Sequence, residues 1–208
     1  MSAETWIAFL AASWAISLSP GAGAVAAMSS GLRHGLVRGY WTVIGLQLGV
    51  ILQLLVVSAG LGALLAASST GFEIVRWLGV AYLCWLGIQQ WRARPGHAAR
   101  PDAAPQDRRG AMILRGFLVN ASNPKAIVFM LAVLPQFIDA TRPLATQYLL
   151  MGATLVTVDM IVMGGYTGLG ARGLRLLDSP AQQRIINRIF GGLFVAAALV
   201  LAAFRRAN

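Results

Sequence analysis

Six stretches of this chain are long, apolar and nearly free of charge, roughly Trp6–Met28, Tyr40–Ala67, Phe72–Trp91, Met112–Phe137, Leu144–Leu169 and Ile185–Phe204. A helix needs about 20 such residues to cross the ~30 Å of a bilayer's hydrocarbon. Lipid cannot satisfy an open backbone, so a span must be a helix or part of a closed barrel, and none of these stretches alternates as a barrel strand does. Composition agrees: 57% of the 208 residues are hydrophobic and 12% charged, with a mean hydropathy of +0.67. A soluble domain carries about 45–50% apolar and about 25% charged residues. The expected fold class is therefore an all-α integral membrane protein of about six transmembrane helices, one transmembrane domain over residues 1–208. The first residues, Met-Ser-Ala-Glu, carry an acid and no basic cluster, so the first apolar run is expected to belong to the mature protein.

The net charge of +10 would suit a nucleic-acid-binding protein if the arginines lay on amphipathic helices among stacking aromatics. They sit instead in the gaps between apolar runs. With six crossings, one side collects Arg33, Arg38, Arg92, Arg94, Arg100, Arg108, Arg109, Arg115, Arg172, Arg175, Arg184 and Arg188. The other has Arg76, Arg142, Arg205 and Arg206. The positive-inside bias makes the first side cytoplasmic and leaves both termini outside. Trp6, Trp41, Trp77 and Trp91 fall near span ends, as in an aromatic belt.

Pro95–Gly110 is rich in proline, alanine and charge and reads as a mobile cytoplasmic loop, about 93–110, between two halves at about 4–92 and 111–205. The first span is interrupted by Ser17–Gly23 (SLSPGAG) and the fourth by Asn120–Lys125 (NASNPK). Their prolines, Pro20 and Pro124, lie 124 − 20 = 104 positions apart, half the chain. Three spans is an odd number, so two such halves have opposite topology, the pattern of an inverted repeat.

Proline inside a helix costs about 3 kcal/mol or more, but none of this at the first helical position. Ser19 and Asn123, one residue before each proline, are good N-caps. Each broken span is therefore expected to stop and restart at its proline, giving discontinuous helices one and four. The restarted ends carry free N–H groups and a positive dipole to membrane depth, where they suit a carboxylate. Gly21 and Gly23 would let a ligand approach the backbone. A broken first span has two courses, crossing or re-entering, and re-entry would put the N-terminus inside.

Two charges share this depth. Asp159 lies near the centre of span five and Lys125 directly follows Pro124. An ionisable residue there is costly and is usually functional or paired. Asp159 is the expected proton-coupling group or contact for a substrate ammonium, with Lys125 its counter-charge or a carboxylate contact. The other reading is a fixed structural ion pair. The expected substrate-binding set is Ser19, Pro20, Gly21, Gly23, Gln47, Asn120, Asn123, Pro124, Lys125 and Tyr166. Gly45-x-x-x-Gly49, and Gly164 with Gly168, read as helix-packing faces that would also permit a homodimer. Cys84 reads as a packed thiol. His34 and His97 lack metal-ligand neighbours, so no metal and no cofactor are expected. No nucleophile–base set or P-loop appears, so an enzyme or built-in ATPase is not expected. Uphill transport would draw on an ion gradient or on another subunit.

Three elements in order resemble the LysE/RhtB amino-acid exporters over nearly the whole chain. They are Ser19–Gly23 with Ser29–Gly35 and Gly45–Gly49; Asn123–Phe129 continuing to Leu134–Ile138; and Val158–Met160 with Gly165–Tyr166 and Asn187–Gly192. Ala22 departs from the family, which often has a second proline there. The tail is most similar to the branch that exports homoserine, homoserine lactone and threonine. The resemblance implies efflux of neutral amino acids across a bacterial inner membrane, driven by the proton gradient. Rival readings are export of basic amino acids or a cation, and a non-transporting membrane scaffold.

Overall fold

The structure is a computed structural model. It describes residues 1–67, 107–139 and 141–172, with single positions inside 77–92 and 181–199. Among the described residues every regular element is a helix: α1 (Ala3–Leu18), α2 (Ala22–Ala67), α3 (Arg109–Ala121), α4 (Pro124–Val133), a 3-10 turn (Leu134–Phe137) and α5 (Leu144–Ala171). The described positions in 77–92 and 181–199 are helical as well. The third and sixth expected spans otherwise lie outside the described residues, as do His97 and residues 95–106 of the expected loop. The last two residues assigned to that loop, Arg109 and Gly110, already belong to α3.

Two helices are long and apolar enough to cross a membrane, Ala22–Gly60 and Leu144–Ala171. A bent pair, Arg109–Ala121 with Lys125–Phe137, meets the same test as one span broken by 57°. α2 turns back on itself at Gly35, where φ 74° and ψ 175° leave the helical region. A positive φ is open to glycine at no steric cost. The two arms, 22–34 and 36–67, lie against one another: the Ser30 and Thr42 hydroxyls hydrogen-bond at 2.8 Å.

α1 and the 22–34 arm run alongside α5 in the same direction. Trp6 Nε1 donates to Thr154 Oγ1 at 3.1 Å, Gly23 lies against Met163, and Gly31 packs on Thr167. Positions rise together on both elements, so the break at Pro20 does not send the chain back. α3 and α4 accompany the 36–67 arm in the same way, from Gly116 on Thr42 to Met130 and Leu134 among Val50, Leu54 and Val57. The 36–67 arm and α5 are antiparallel, pairing Tyr40 with Gly164 and Leu54 with Gly152.

Lipid tails are as apolar as leucine, so these helices associate through close packing and interhelical hydrogen bonds. Glycine permits the approach. A Cβ on Gly45 would overlap the Ile113 carbonyl and one on Gly116 the Thr42 carbonyl. Gly31 and Gly170 stand in the same reciprocal relation to Thr167 and Met28. The Gly45–Gly49 and Gly164–Gly168 faces are thus filled inside the chain, by α3 and by Leu36 and Tyr40. This removes the basis for the expectation that they permit a homodimer. Cys84 packs with Val133 and Ala198.

Candidate functional site

The two breaks meet. A cavity of about 60 Å³ lies between them, lined by Ser17, Ser19, Gly21, Gly23, Asn120, Asn123, Lys125 and Asp159, with Leu46, Val50, Phe129, Met130, Leu155 and Met163 among its apolar wall. One water needs about 10–15 Å³, so the space suits a small polar solute with an apolar side. One packed cluster lies on either side of it, around Phe9, Val50 and Met151 and around Ala27, Leu46 and Val162.

The second break forms as its sequence predicts. Pro124 opens α4, and Asn123 is its N-cap, extended at φ −74° and ψ 105°. The Asn123 side-chain oxygen accepts from the Lys125 amide at 3.1 Å. Gln53 Nε2 donates to the Asn120 carbonyl at 2.6 Å, at the end of α3, where the same carbonyl also accepts the Asn123 amide at 2.9 Å. Asn120 Nδ2 in turn donates to the Leu46 carbonyl at 2.9 Å. Both Gln53 and Asn120 are buried.

The first break departs from expectation. Ser19 does not cap a helix restarting at Pro20. It is the C-cap of α1, extended at φ −66° and ψ 117°, with its amide bonded back to Ala15. Proline disfavours helical geometry in the residue before it, which explains the extended Ser19. Its hydroxyl is also engaged: Lys125 Nζ donates to Ser19 Oγ at 2.7 Å and to the Ser19 carbonyl at 2.9 Å. α2 restarts two residues later, at Ala22, and its first helical bond runs from the Val25 amide to the Gly21 carbonyl at 3.0 Å. The amides of Ala22, Gly23 and Ala24 precede that bond, so no helical carbonyl takes them.

Asp159 lies across the cavity, 9% exposed. Gln47 Nε2 donates to its Oδ2 at 2.7 Å. Lys125 and Ser17 line the same cavity as this carboxylate. The two charges thus share one cavity. The Lys125 ammonium itself donates to the carbonyl and the hydroxyl of Ser19.

Of the residues expected here, Ser19, Gly21, Gly23, Asn120, Asn123, Lys125 and Asp159 reach the cavity wall. Gln47 stands behind Asp159. Tyr166 is not brought to the wall: its hydroxyl donates to the Leu18 carbonyl at 2.8 Å and so holds the end of α1. Pro20 and Pro124 shape the breaks from outside the lining. Ser17 and Gln53 are additions. The sequence signals for them are a hydroxyl two residues before the Ser-Pro and a buried amide in an apolar run. Among the described residues no three of His, Cys, Asp and Glu gather as a metal site would require.

At one end of the bundle, His34 Nε2 lies 3.6 Å from Asp107 Oδ2, Arg38 donates to the Asp107 carbonyl at 3.3 Å, and the Arg109 guanidinium lies 5.1 Å from the Trp41 ring centre. These contacts gather the basic residues around the Gly35 turn. Trp6, Asp139 and Arg142 mark the opposite end.

No solved structure matches the chain. The LysE type translocator family model matches residues 14–204. The chain is 42% identical over 207 residues to a homoserine/homoserine lactone efflux protein of Salmonella typhi, covering 100% of both. It is 41% identical to an uncharacterized membrane protein of Vibrio cholerae, over 97% of this chain and 98% of that one. It is 31% identical to a leucine efflux protein of Enterobacter sp., over 90% of each. With the broken helices and their shared cavity inside the matched region, the chain belongs to the LysE family of membrane translocators and is a transporter, not an enzyme.

Proposed function

We propose that this protein is a secondary-active exporter of small neutral amino acids, homoserine or threonine in type, working across the bacterial inner membrane and drawing on the proton gradient. The observation that carries the reading is the cavity where the two breaks meet. It sets the open amides at the start of α2 opposite a buried carboxylate. The other three half-helix ends are held by side chains: α1 by Tyr166 and Lys125, α3 by Gln53 and α4 by Asn123. The start of α2 is left for a ligand. A zwitterion fits that polarity, its carboxylate on the amides of Gly23 and its neighbours beside the Lys125 charge, and its ammonium on Asp159. Leu46, Phe129 and Met163 would take a short side chain. The similarity to a homoserine/homoserine lactone efflux protein and to a leucine efflux protein supports the same class.

In this reading the six spans form two inverted repeats. Three features support it. Each broken span accompanies the second span of the other half, α1 with α5 and α3–α4 with the 36–67 arm. The 36–67 arm and α5 are antiparallel, as partners across a two-fold must be. Gly87 and Gly191 are also 191 − 87 = 104 positions apart, and a Cβ on either would lie 2.8 Å from the other's carbonyl oxygen. The third and sixth spans would thus cross on the same offset that separates Pro20 from Pro124. The Gly35 turn, rich in arginine, faces the cytoplasm. A first span that runs with α5 throughout crosses the membrane, and the N-terminus lies outside.

The test is flux in proteoliposomes. Purified protein should drive labelled homoserine or threonine against its concentration gradient when a proton gradient is imposed, and stop when a protonophore is added. Flux of a basic amino acid or a metal cation in its place, or no gradient-dependent flux of any amino acid, would refute the proposal.

A further inference from the structure

The first break presents oxygens to a cation as well as amides to an anion. The chain leaves α1 extended at Ser19, which frees its carbonyl from the helix and sets its hydroxyl alongside. The carbonyl end of α1 carries the negative pole of the helix dipole. Asp159 and Ser17 line the same cavity as Ser19. One backbone carbonyl, two hydroxyls and one carboxylate are the hard oxygen donors that hold a small cation. Unwound carbonyls and half-helix C-termini coordinate coupling ions in transporters with discontinuous helices. The position is filled here by the ammonium of Lys125, 2.9 Å from the Ser19 carbonyl and 2.7 Å from its hydroxyl.

We propose that the first break is a monovalent-cation site whose resident cation is the ammonium of Lys125, tethered to the other half of the molecule. The tether reaches from the first turn of α4, where Pro124 and the Asn123 cap fix its root. The ammonium therefore arrives with the second half and crosses between the two breaks. Two consequences follow. The wild-type protein needs no free metal cation, because one charge is built in. Removing that charge leaves the carbonyl and hydroxyl of Ser19 without their positive partner in a cavity that Ser17 and Asp159 also line, and a small free cation should take its place.

The site can be read without transport. Lys125→Met keeps most of the stem and loses the charge. In detergent, at constant ionic strength made up with N-methylglucamine chloride, the melting temperature of this variant should start several degrees below wild type. It should rise by a few degrees, saturably, with methylammonium, sodium or potassium, as ligand linkage requires. Comparing the three tells an ammonium-selective site from a metal-selective one. Wild type should not respond, and adding Asp159→Asn to Lys125→Met should abolish the response. Lys125→Cys alkylated with 2-bromoethylammonium restores a tethered ammonium and should return the melting temperature toward wild type while removing the response to free cations. A flat response of Lys125→Met to all three cations, or an equal response of wild type, would overturn the proposal. Because the measurement is of binding, it stands even if amino-acid flux is absent, an outcome that would sink the transport reading alone. With flux present, wild-type export should be indifferent to sodium and potassium, and export by Lys125→Met should recover with the cation that stabilises it.

Discussion

Gly116→Ala tests how the breaks are held in register. Gly116 faces the 36–67 arm so closely that an added Cβ would overlap the Thr42 carbonyl and lie 2.9 Å from the Leu46 amide nitrogen and 3.1 Å from the Gly45 Cα. All three neighbours are backbone, so no side chain can turn aside. Ordinary carbon contacts sit at about 3.5–4.0 Å, and the two helices would have to part by about 1 Å. A gap of that size forfeits about a quarter to a half of each lost contact's attraction. Overpacking generally costs about 1–3 kcal/mol, and a backbone-on-backbone clash belongs at the upper end. For a chain of this size, about 3 kcal/mol corresponds to a fall of roughly 6–12 °C in melting temperature. The same parting would pull Asn120 from the Leu46 carbonyl and Gln53 from the Asn120 carbonyl, so transport should fall with stability. Gly165→Ala is the control: nothing lies within 4 Å of its added Cβ, and alanine is favoured over glycine in a helix by about 1 kcal/mol. Melting in detergent, followed by fluorescence, reads both. If Gly116→Ala melts together with wild type, the crossing is looser than the glycine geometry requires, and the argument from close approach fails.

Other substitutions separate binding from folding. Gly23→Ala places its Cβ 3.7 Å from Leu46 and 3.8 Å from Met163, an ordinary contact, so melting should hold. The methyl should keep a carboxylate off the amides of α2, raising the half-saturating substrate concentration about tenfold, the worth of one charge-assisted hydrogen bond. Asp159→Asn preserves shape beside Gln47 but can neither carry a proton nor pair with an ammonium. Gradient-driven efflux should fall about 100-fold or more, and an Asn variant with wild-type flux and pH profile would exclude Asp159 from coupling. In the loop before α5, the hydroxyl and amide of Thr141 hydrogen-bond to the Asp139 carboxylate and hold its pKa below the ordinary aspartate value, with Arg142 adding to the effect. Its folded pKa is depressed, so its small contribution to loop order is present above the unfolded value and lost as pH falls through the folded one. A carbon-13 titration of Asp139 should show an acid-shifted midpoint that Thr141→Val moves back up.

Much of this architecture is legible in sequence because the bilayer removes alternatives. Apolar length marks the membrane-crossing helices among the described residues, and proline with a preceding cap gives the second break at its true residue. The first break is misread by two residues for a physical reason. Ser19 has the right side chain for a cap, but a lysine 106 positions away takes its hydroxyl, and nothing local to Ser17–Gly23 announces that. Gln47, Gln53 and Asn120 stand out as polar residues in apolar runs, yet their partners are backbone carbonyls and a carboxylate on other helices, and periodicity does not reveal those. The same holds for Tyr166, whose place among the expected ligands rests on its position in the span, while its hydroxyl serves the end of α1. Gly45 and Gly49 are recognisable as a packing face, but whether the partner is a second copy or α3 is decided only by the chain's path.

The hold of Lys125 on Ser19 also has a history in time. The chain is made from its N-terminus at about 5–20 residues per second, so Lys125 is added roughly 5–20 s after Ser19. Throughout that interval the first half has a carbonyl and a hydroxyl at membrane depth without the partner they have in the finished protein. Unsatisfied polar groups are costly in lipid, so the nascent first half must keep water, a lipid headgroup or the insertion machinery at its break until the second half arrives. Assembly is then a contest between the two halves finding each other and the first being removed as unfinished. The order of synthesis makes the N-terminal half the vulnerable one.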